Sequence, residues 1–148
     1  MNADDVLALR RLADLYADAV DRRDAAALAE VFAPDGRLVV QPDGAPVQSE
    51  WTGAHITGIL EPLHRYDSTF HHVGGSVLEE DGDGATGRVH LTAHHYERTG
   101  NGPVDLVMFI VYHDRYTRGP GGWRIQDRRV AVQWTELHPA HPAKRPGS

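Results

Sequence analysis

Ala85-Thr86-Gly87-Arg88-Val89-His90-Leu91-Thr92-Ala93-His94-His95-Tyr96-Glu97-Arg98 decides the architecture. Val89, Leu91, Ala93 and His95 occupy alternate positions, and Arg88, His90, Thr92, His94 and Tyr96 fill the others. Side chains alternate between faces along a strand. The run therefore reads as a half-buried strand with His95 on its apolar side. Residues 69–79, 104–118 and 123–134 read as strands of similar length. The links Glu80-Asp81-Gly82-Asp83-Gly84, Thr99-Gly100-Asn101-Gly102 and Gly119-Pro120-Gly121-Gly122 have the composition of hairpin turns. Four such strands in a row make an antiparallel meander.

The first half of the chain has a different period. Val6, Leu9, Leu12, Ala13, Tyr16, Ala17 and Val20 recur at steps of three and four, which predicts a helix with one apolar face. Asp4 is its expected N-cap and Asp21-Arg22-Arg23 its end. A second helix is expected over residues 24–32, capped by Asp24, and a third over 53–66, with Pro62 weakening its second half. Ala33-Pro34-Asp35-Gly36 reads as a turn, 37–41 as a short strand and 42–49 as a loop. Three helices ahead of a meander predict an α+β domain over residues 1–136, its helices packed on one side of a curved antiparallel sheet. Residues 137–148 contain three prolines and no core-forming run, and are expected to be a disordered tail.

Composition narrows the function. A chain of 148 residues forms one domain with a real core. The net charge of −6 supplies no basic stripe for nucleic acid. With no cysteine there is no disulfide, thiol nucleophile or cysteine-bound zinc, in keeping with a cytoplasmic location. The acidic start lacks the pattern of a signal peptide, and no run approaches membrane-spanning length. Of the ten histidines, the adjacent pairs His71-His72 and His94-His95 send their members to opposite faces, which disfavours a metal site.

The remaining signal is a set of ionisable groups aimed at an apolar interior. His95 points inward by parity. His71, Val73, Gly75 and Val77 form the more continuous set of their strand, so His71 is expected inward. A one-residue bulge would bring in His72 instead. In the third strand Tyr112 shares a set with Leu106, Met108, Ile110 and Asp114. In the last, Trp123 and Ile125 point the set containing Asp127 and Arg129 inward. One of Arg128 and Arg129 is expected to be solvated and the other paired with Asp114 or Asp127. Arg129, Tyr112 and Trp51 are the expected substrate contacts, with Trp51 otherwise packing or rim. Imidazoles near their natural pKa suit general acid–base work without metal or cofactor.

The opening from Leu12 to Asp21, the segment from Leu28 to Gly36, His71-His72-Val73-Gly74, the turn from Asp81 to Thr86 and the ending through Trp123 to Val130 resemble the SnoaL-like branch of the nuclear-transport-factor-2-like superfamily. The resemblance covers roughly residues 5–135. It implies a cone-like fold in which a curved sheet wraps a long helix. It also implies activities such as scytalone or bile-acid dehydration, polyketide cyclisation and ketosteroid isomerisation, besides members without known catalysis. Tyr16 and Asp21 match the family's helix pair, and His71 matches its strand histidine. His95 is similar to the second histidine of scytalone dehydratase, where the bile-acid enzymes carry a carboxylate. Gly75 stands where an asparagine is common. The resemblance implies a lyase or isomerase acting beside the carbonyl of a small hydrophobic cyclic molecule. His71 and His95 would be its proton-transfer pair, Asp21 the orienting carboxylate and Tyr16 the carbonyl donor. A non-catalytic binding or assembly module of the same fold is the alternative. A homodimer through the outer sheet face is a family habit that the doubly apolar third strand fits.

Overall fold

The computed structural model describes residues 1–144. Helix α1 runs Ala3–Asp21 and α2 runs Ala25–Val31. A 3₁₀ helix, Gly53–Arg65, stands where the third helix was expected and contains Pro62, which has no N–H to give. The strands are β1 Phe32–Val40, β2 Ser49–Thr52, β3 Ser68–Asp81, β4 Gly84–Thr99, β5 Gly102–Gly119 and β6 Gly122–Pro139. They form one curved, unclosed sheet in the order β2-β1-β6-β5-β4-β3. The meander is antiparallel throughout, and only β1 runs parallel to its neighbour β6. No helix is long and apolar enough to cross a membrane among the described residues.

Helix α1 starts two residues earlier than Asp4 implied. Asn2 accepts from the Asp5 N–H at 2.9 Å and the Asp5 carboxylate accepts from the Asn2 N–H at 3.3 Å, a reciprocal cap that Asp4 lacks a partner to form. Leu9, Leu12, Ala13, Tyr16 and Val20 bury one face of the helix against the concave side of the sheet. Ile56, Ile59 and Leu60 close the same core from the 3₁₀ helix.

Four local irregularities interrupt the strands, one of them an extra residue, Gln133, between the partners of Phe109 and Ile110. In β3 the register slips by one residue between Val73 and Ser76. A Cβ on Gly74 would lie 3.0 Å from the His90 carbonyl oxygen, so the slip depends on glycine there. His71 and Val73 stay inward, while Val77 emerges 48 % exposed, against the set expected from parity. In β6 an extra residue, Gln126, separates Ile125 from Asp127 opposite the contiguous pair Tyr116 and Arg115. The expected turn Ala33-Pro34-Asp35-Gly36 lies within β1 as a bulge between Phe32 and Arg37. A Cβ on Gly36 would come within 2.9 Å of the Ala33 carbonyl oxygen.

Strand β6 also continues through Leu137, His138 and Pro139, so the expected tail begins later than residue 137. Backbone pairing of Leu106 with Leu137 and of Val104 with Pro139 overrides the proline signal, because Pro139 sits at the strand's end. The expected disorder of residues 145–148 lies outside the described residues.

Candidate active site

Two polar clusters sit on the inner side of the sheet. The first forms where α1 ends against β3. Asp21, the last residue of α1, reaches the edge strand. The His71 ring nitrogen Nδ1 lies 2.7 Å from Asp21 Oδ1, and the His71 backbone N–H donates to Asp21 Oδ2 at 2.9 Å. The Thr69 hydroxyl donates to Asp21 Oδ1 at 3.0 Å. Burial alone would raise the Asp21 pKa. The hydrogen bonds from the His71 ring and backbone, the His71 charge and the Thr69 hydroxyl outweigh it and hold the carboxyl below its usual range. An ionised carboxylate only accepts, so His71 Nδ1 carries the proton, leaving Nε2 for chemistry.

His95 stands on β4 next to this pair, its ring centroid 6.2 Å from that of His71. Thr69 pairs with His95 and His71 with Ala93, so the two imidazoles are diagonal neighbours on one face. His95 is buried, as its parity predicted. Its Nδ1 lies 3.0 Å from the Leu106 carbonyl oxygen, which can only accept, so Nδ1 is again the protonated nitrogen. Burial pushes the His95 pKa down, the Leu106 bond opposes this, and the His71 charge adds to the depression. His95 is therefore neutral at pH 7, with a lone pair on Nε2. Tyr66, just past the 3₁₀ helix, lies over it at 4.7 Å between ring centroids.

A measurable consequence follows. The neutral form of His95 is favoured in the fold, so its contribution to stability is complete above the unfolded-state value of 6.5 and is lost as pH falls through and below it. Urea midpoints should fall between pH 7.5 and 5.5, and His95→Gln should flatten that slope. His113 is depressed by burial and by Arg129, so it adds a slope of the same sign.

The second cluster lies deeper. Arg128 is buried, with Nε 2.9 Å from Asp114 Oδ1 and Nη2 2.7 Å from Asp114 Oδ2. The Tyr116 hydroxyl donates to the same carboxylate at 2.8 Å. The guanidinium lies 4.4 Å from the Tyr16 ring and 3.9 Å from the Tyr112 ring. Burial raises the Tyr16 pKa; Arg128 opposes this and Asp114 adds to it, so the phenol stays protonated. Tyr112 is raised further, by burial and by Tyr16.

The structure thus brings Asp21, His71 and His95 together. Tyr16 packs against Tyr112, Phe32 and Arg128, in the second cluster. Five residues along a helix turn Tyr16 about 140° from Asp21 and separate them by about 7.5 Å. Trp51, on β2, lies over Gly58 of the 3₁₀ helix, where a Cβ would meet the indole at 2.8 Å. Arg129, expected inward, faces the other way. The Gln126 bulge turns it to the outer face, where Nη1 donates to Asp43 Oδ1 at 2.8 Å and to the Gln41 carbonyl at 3.2 Å. There it lines a groove of about 650 Å³ with Arg37, Arg88 and His113. Arg128 takes the inner position and Asp114 is its partner. The expected ion pair of one of Arg128 and Arg129 with Asp114 is thus made by Arg128, while sequence reasoning missed Tyr66 and Thr69. The parity of Thr69 with His71 was the available signal for Thr69. Among the described residues, no three His, Asp or Glu side chains converge as a metal site would require.

A model of the SnoaL-like domain matches residues 1–129. The Kfla4162 protein from Kribbella flavida is similar in structure, with 22 % identity, 90 % of this chain and 93 % of that one covered, and a TM-score of 0.78. A hexachlorocyclohexane dehydrochlorinase, LinA type 2, has 19 % identity over 99 % and 100 % of the two chains, with a TM-score of 0.78. A candidate scytalone dehydratase from Novosphingobium aromaticivorans has 19 % identity over 99 % of each chain, with a TM-score of 0.75. At these identities the likeness is one of fold. No protein of curated function matches the sequence.

Proposed function

We propose, from the premise that this chain belongs to the family of SnoaL-like domains, that it is a cofactor-independent acid–base enzyme removing a proton beside a carbonyl. Its substrate would be a small hydrophobic cyclic molecule, and its reaction a dehydration, cyclisation or isomerisation. The observation that carries this reading is the Asp21–His71 dyad at 2.7 Å, with a neutral imidazole 6.2 Å away.

His71 Nε2 takes the α-proton, and the Asp21 carboxylate balances the imidazolium that forms. Asp21 also fixes the tautomer, so the basic nitrogen faces away from the helix. His95 accepts a hydrogen bond at Nε2 from the substrate hydroxyl and holds it near the His71 imidazolium. That imidazolium then returns its proton to the departing oxygen, which leaves as water and regenerates neutral His71. In an isomerisation the same proton returns to carbon. Protonated Tyr16 remains the expected donor to the developing enolate oxygen. Similarity in fold to a dehydrochlorinase and to a candidate dehydratase supports elimination as the reaction class.

The test is solvent deuterium incorporation at the α-carbon of a panel of β-hydroxy ring ketones, followed by NMR. The expected result is exchange or elimination that His71→Ala abolishes. If panel members bind but none exchanges, the non-catalytic binding module replaces the enzyme. The homodimer belongs to the same proposal. Phe109 stacks on Trp134 at 4.3 Å on the outer face, where Trp134 is 55 % exposed and Phe70 64 %. Trp134→Arg should convert a sedimenting dimer to a monomer; a wild-type monomer at high micromolar concentration would exclude it.

A further inference from the structure

Arg23 is the one non-glycine residue with a left-handed backbone among those described, at φ 56°. It follows the C-cap of α1. Its N–H bonds to the Val20 carbonyl at 3.1 Å, and the Asp24 N–H bonds to the Ala19 carbonyl at 2.9 Å. This is the helix ending that glycine ordinarily fills, because glycine meets no steric penalty there. An arginine at such a position needs a reason beyond the turn.

Its side chain supplies one. The guanidinium folds back under the helix end. Nη1 donates to the Val20 carbonyl at 2.6 Å and to Thr69 Oγ1 at 2.7 Å, and Nη2 reaches the Leu63 carbonyl at 3.4 Å. Arginine has no acceptor, so the direction of the chain is forced. Arg23 donates to Thr69, and the Thr69 proton then goes to Asp21 Oδ1 at 3.0 Å. The same Oδ1 receives the His71 Nδ1 proton at 2.7 Å. Arg23 thus ties the end of α1, the 3₁₀ helix and β3 together around one carboxylate oxygen.

We propose that Arg23 is a positioning residue for the Asp21–His71 dyad. Acting through Thr69, it fixes the rotamer of the carboxylate and, with it, the Nδ1–H tautomer of His71. The catalytic consequence rests on the reading that this dyad transfers the proton; the structural coupling does not. The ionisable groups around His71 are Asp21 from α1, His95 from β4 and, through Thr69, Arg23 itself.

The experiment is imidazole ¹⁵N and ¹H NMR on the full chain, comparing wild type with Arg23→Gly, Thr69→Val and Thr69→Ser. Arg23→Gly keeps the helix ending but removes the hydrogen bonds of the guanidinium to Val20, Thr69 and Leu63, so some loss of melting temperature is expected and the deciding readout is the His71 resonance. The expected result is a low-field His71 Nδ1 proton in wild type and Thr69→Ser. In Arg23→Gly and Thr69→Val it should exchange with solvent about tenfold faster, and kcat for α-proton exchange should fall about tenfold at unchanged KM. If Arg23→Gly does not fold, Thr69→Val against Thr69→Ser decides the same point. An unchanged resonance in both disruptive variants overturns the proposal, whatever the activity. A resonance that responds, in a protein that exchanges no substrate, overturns the enzymatic reading and leaves the coupling standing.

Discussion

Asp114→Ala is expected to cost about 3–5 kcal/mol, because it leaves a charged guanidinium buried without its partner. Asp114 and Arg128 have fully buried side chains, joined by two hydrogen bonds. In the wild type the Asp114 charge and hydrogen bonds more than reverse the effect of burial on the Arg128 pKa; without them the intrinsic basicity of a guanidinium still prevents escape by loss of its proton. The Tyr116 hydroxyl loses its acceptor in the same variant. Urea unfolding measures the effect. The double variant Asp114→Leu with Arg128→Met should recover much of the loss, since an apolar pair of similar volume avoids both desolvation penalties. If the single variant costs less than about 1 kcal/mol, water must reach the guanidinium and the inner cluster is wet.

The second large effect is on turnover. Asp21→Asn preserves size but replaces an acceptor-only group by an amide that can donate. His71 then loses the charge that stabilises its imidazolium and the bond that selects its tautomer. Turnover on a substrate identified by deuterium exchange should fall by about two to four orders of magnitude, with KM little changed. Circular dichroism should be unaltered, because Asp21 is partly exposed at a helix end. A rise in KM at unchanged kcat instead, or a loss below tenfold, would place the proton transfer elsewhere, His95 being the next candidate. The acid limb carries a further signature. Asp21 is held below its ordinary value of 3.8, so its contribution to stability is present above that value and disappears as pH falls through the lower folded-state value.

Strand periodicity made the sheet legible because most of β4 obeys it without interruption. Ala85, Val89, Leu91, Ala93 and His95 are all buried. His71 could be placed for the same reason, being upstream of the slip at Gly74. Arg129 could not. A single extra residue, Gln126, reverses the side chains from Asp127 up to the next shift at Gln133, and glutamine in a strand announces nothing. The β1 bulge was hidden differently. Ala33-Pro34-Asp35-Gly36 has turn chemistry and does bend the chain, but the residues on both sides remain in one strand beside β6. Tyr16 was legible as an inward residue and not as a partner of Arg128, since parity gives a face and never a depth. The Arg23–Thr69 link joins residues 46 positions apart, each unremarkable alone.

The parallel pairing of β1 with β6 joins Val40 to Val130, ninety positions later. On a ribosome the first two helices and β1 emerge long before the strand that must accept them. The meander from β3 to β6 can zip hairpin by hairpin, but until the last hairpin is out β1 has only the short β2 beside it and its other edge is open. Closure of the inner core is then the final, entropically costly event of folding, governed by the chain's longest loop. During that wait the apolar face of α1 and the open edge of β1 are exposed together, which makes nascent chains truncated before β6 the species most prone to aggregate.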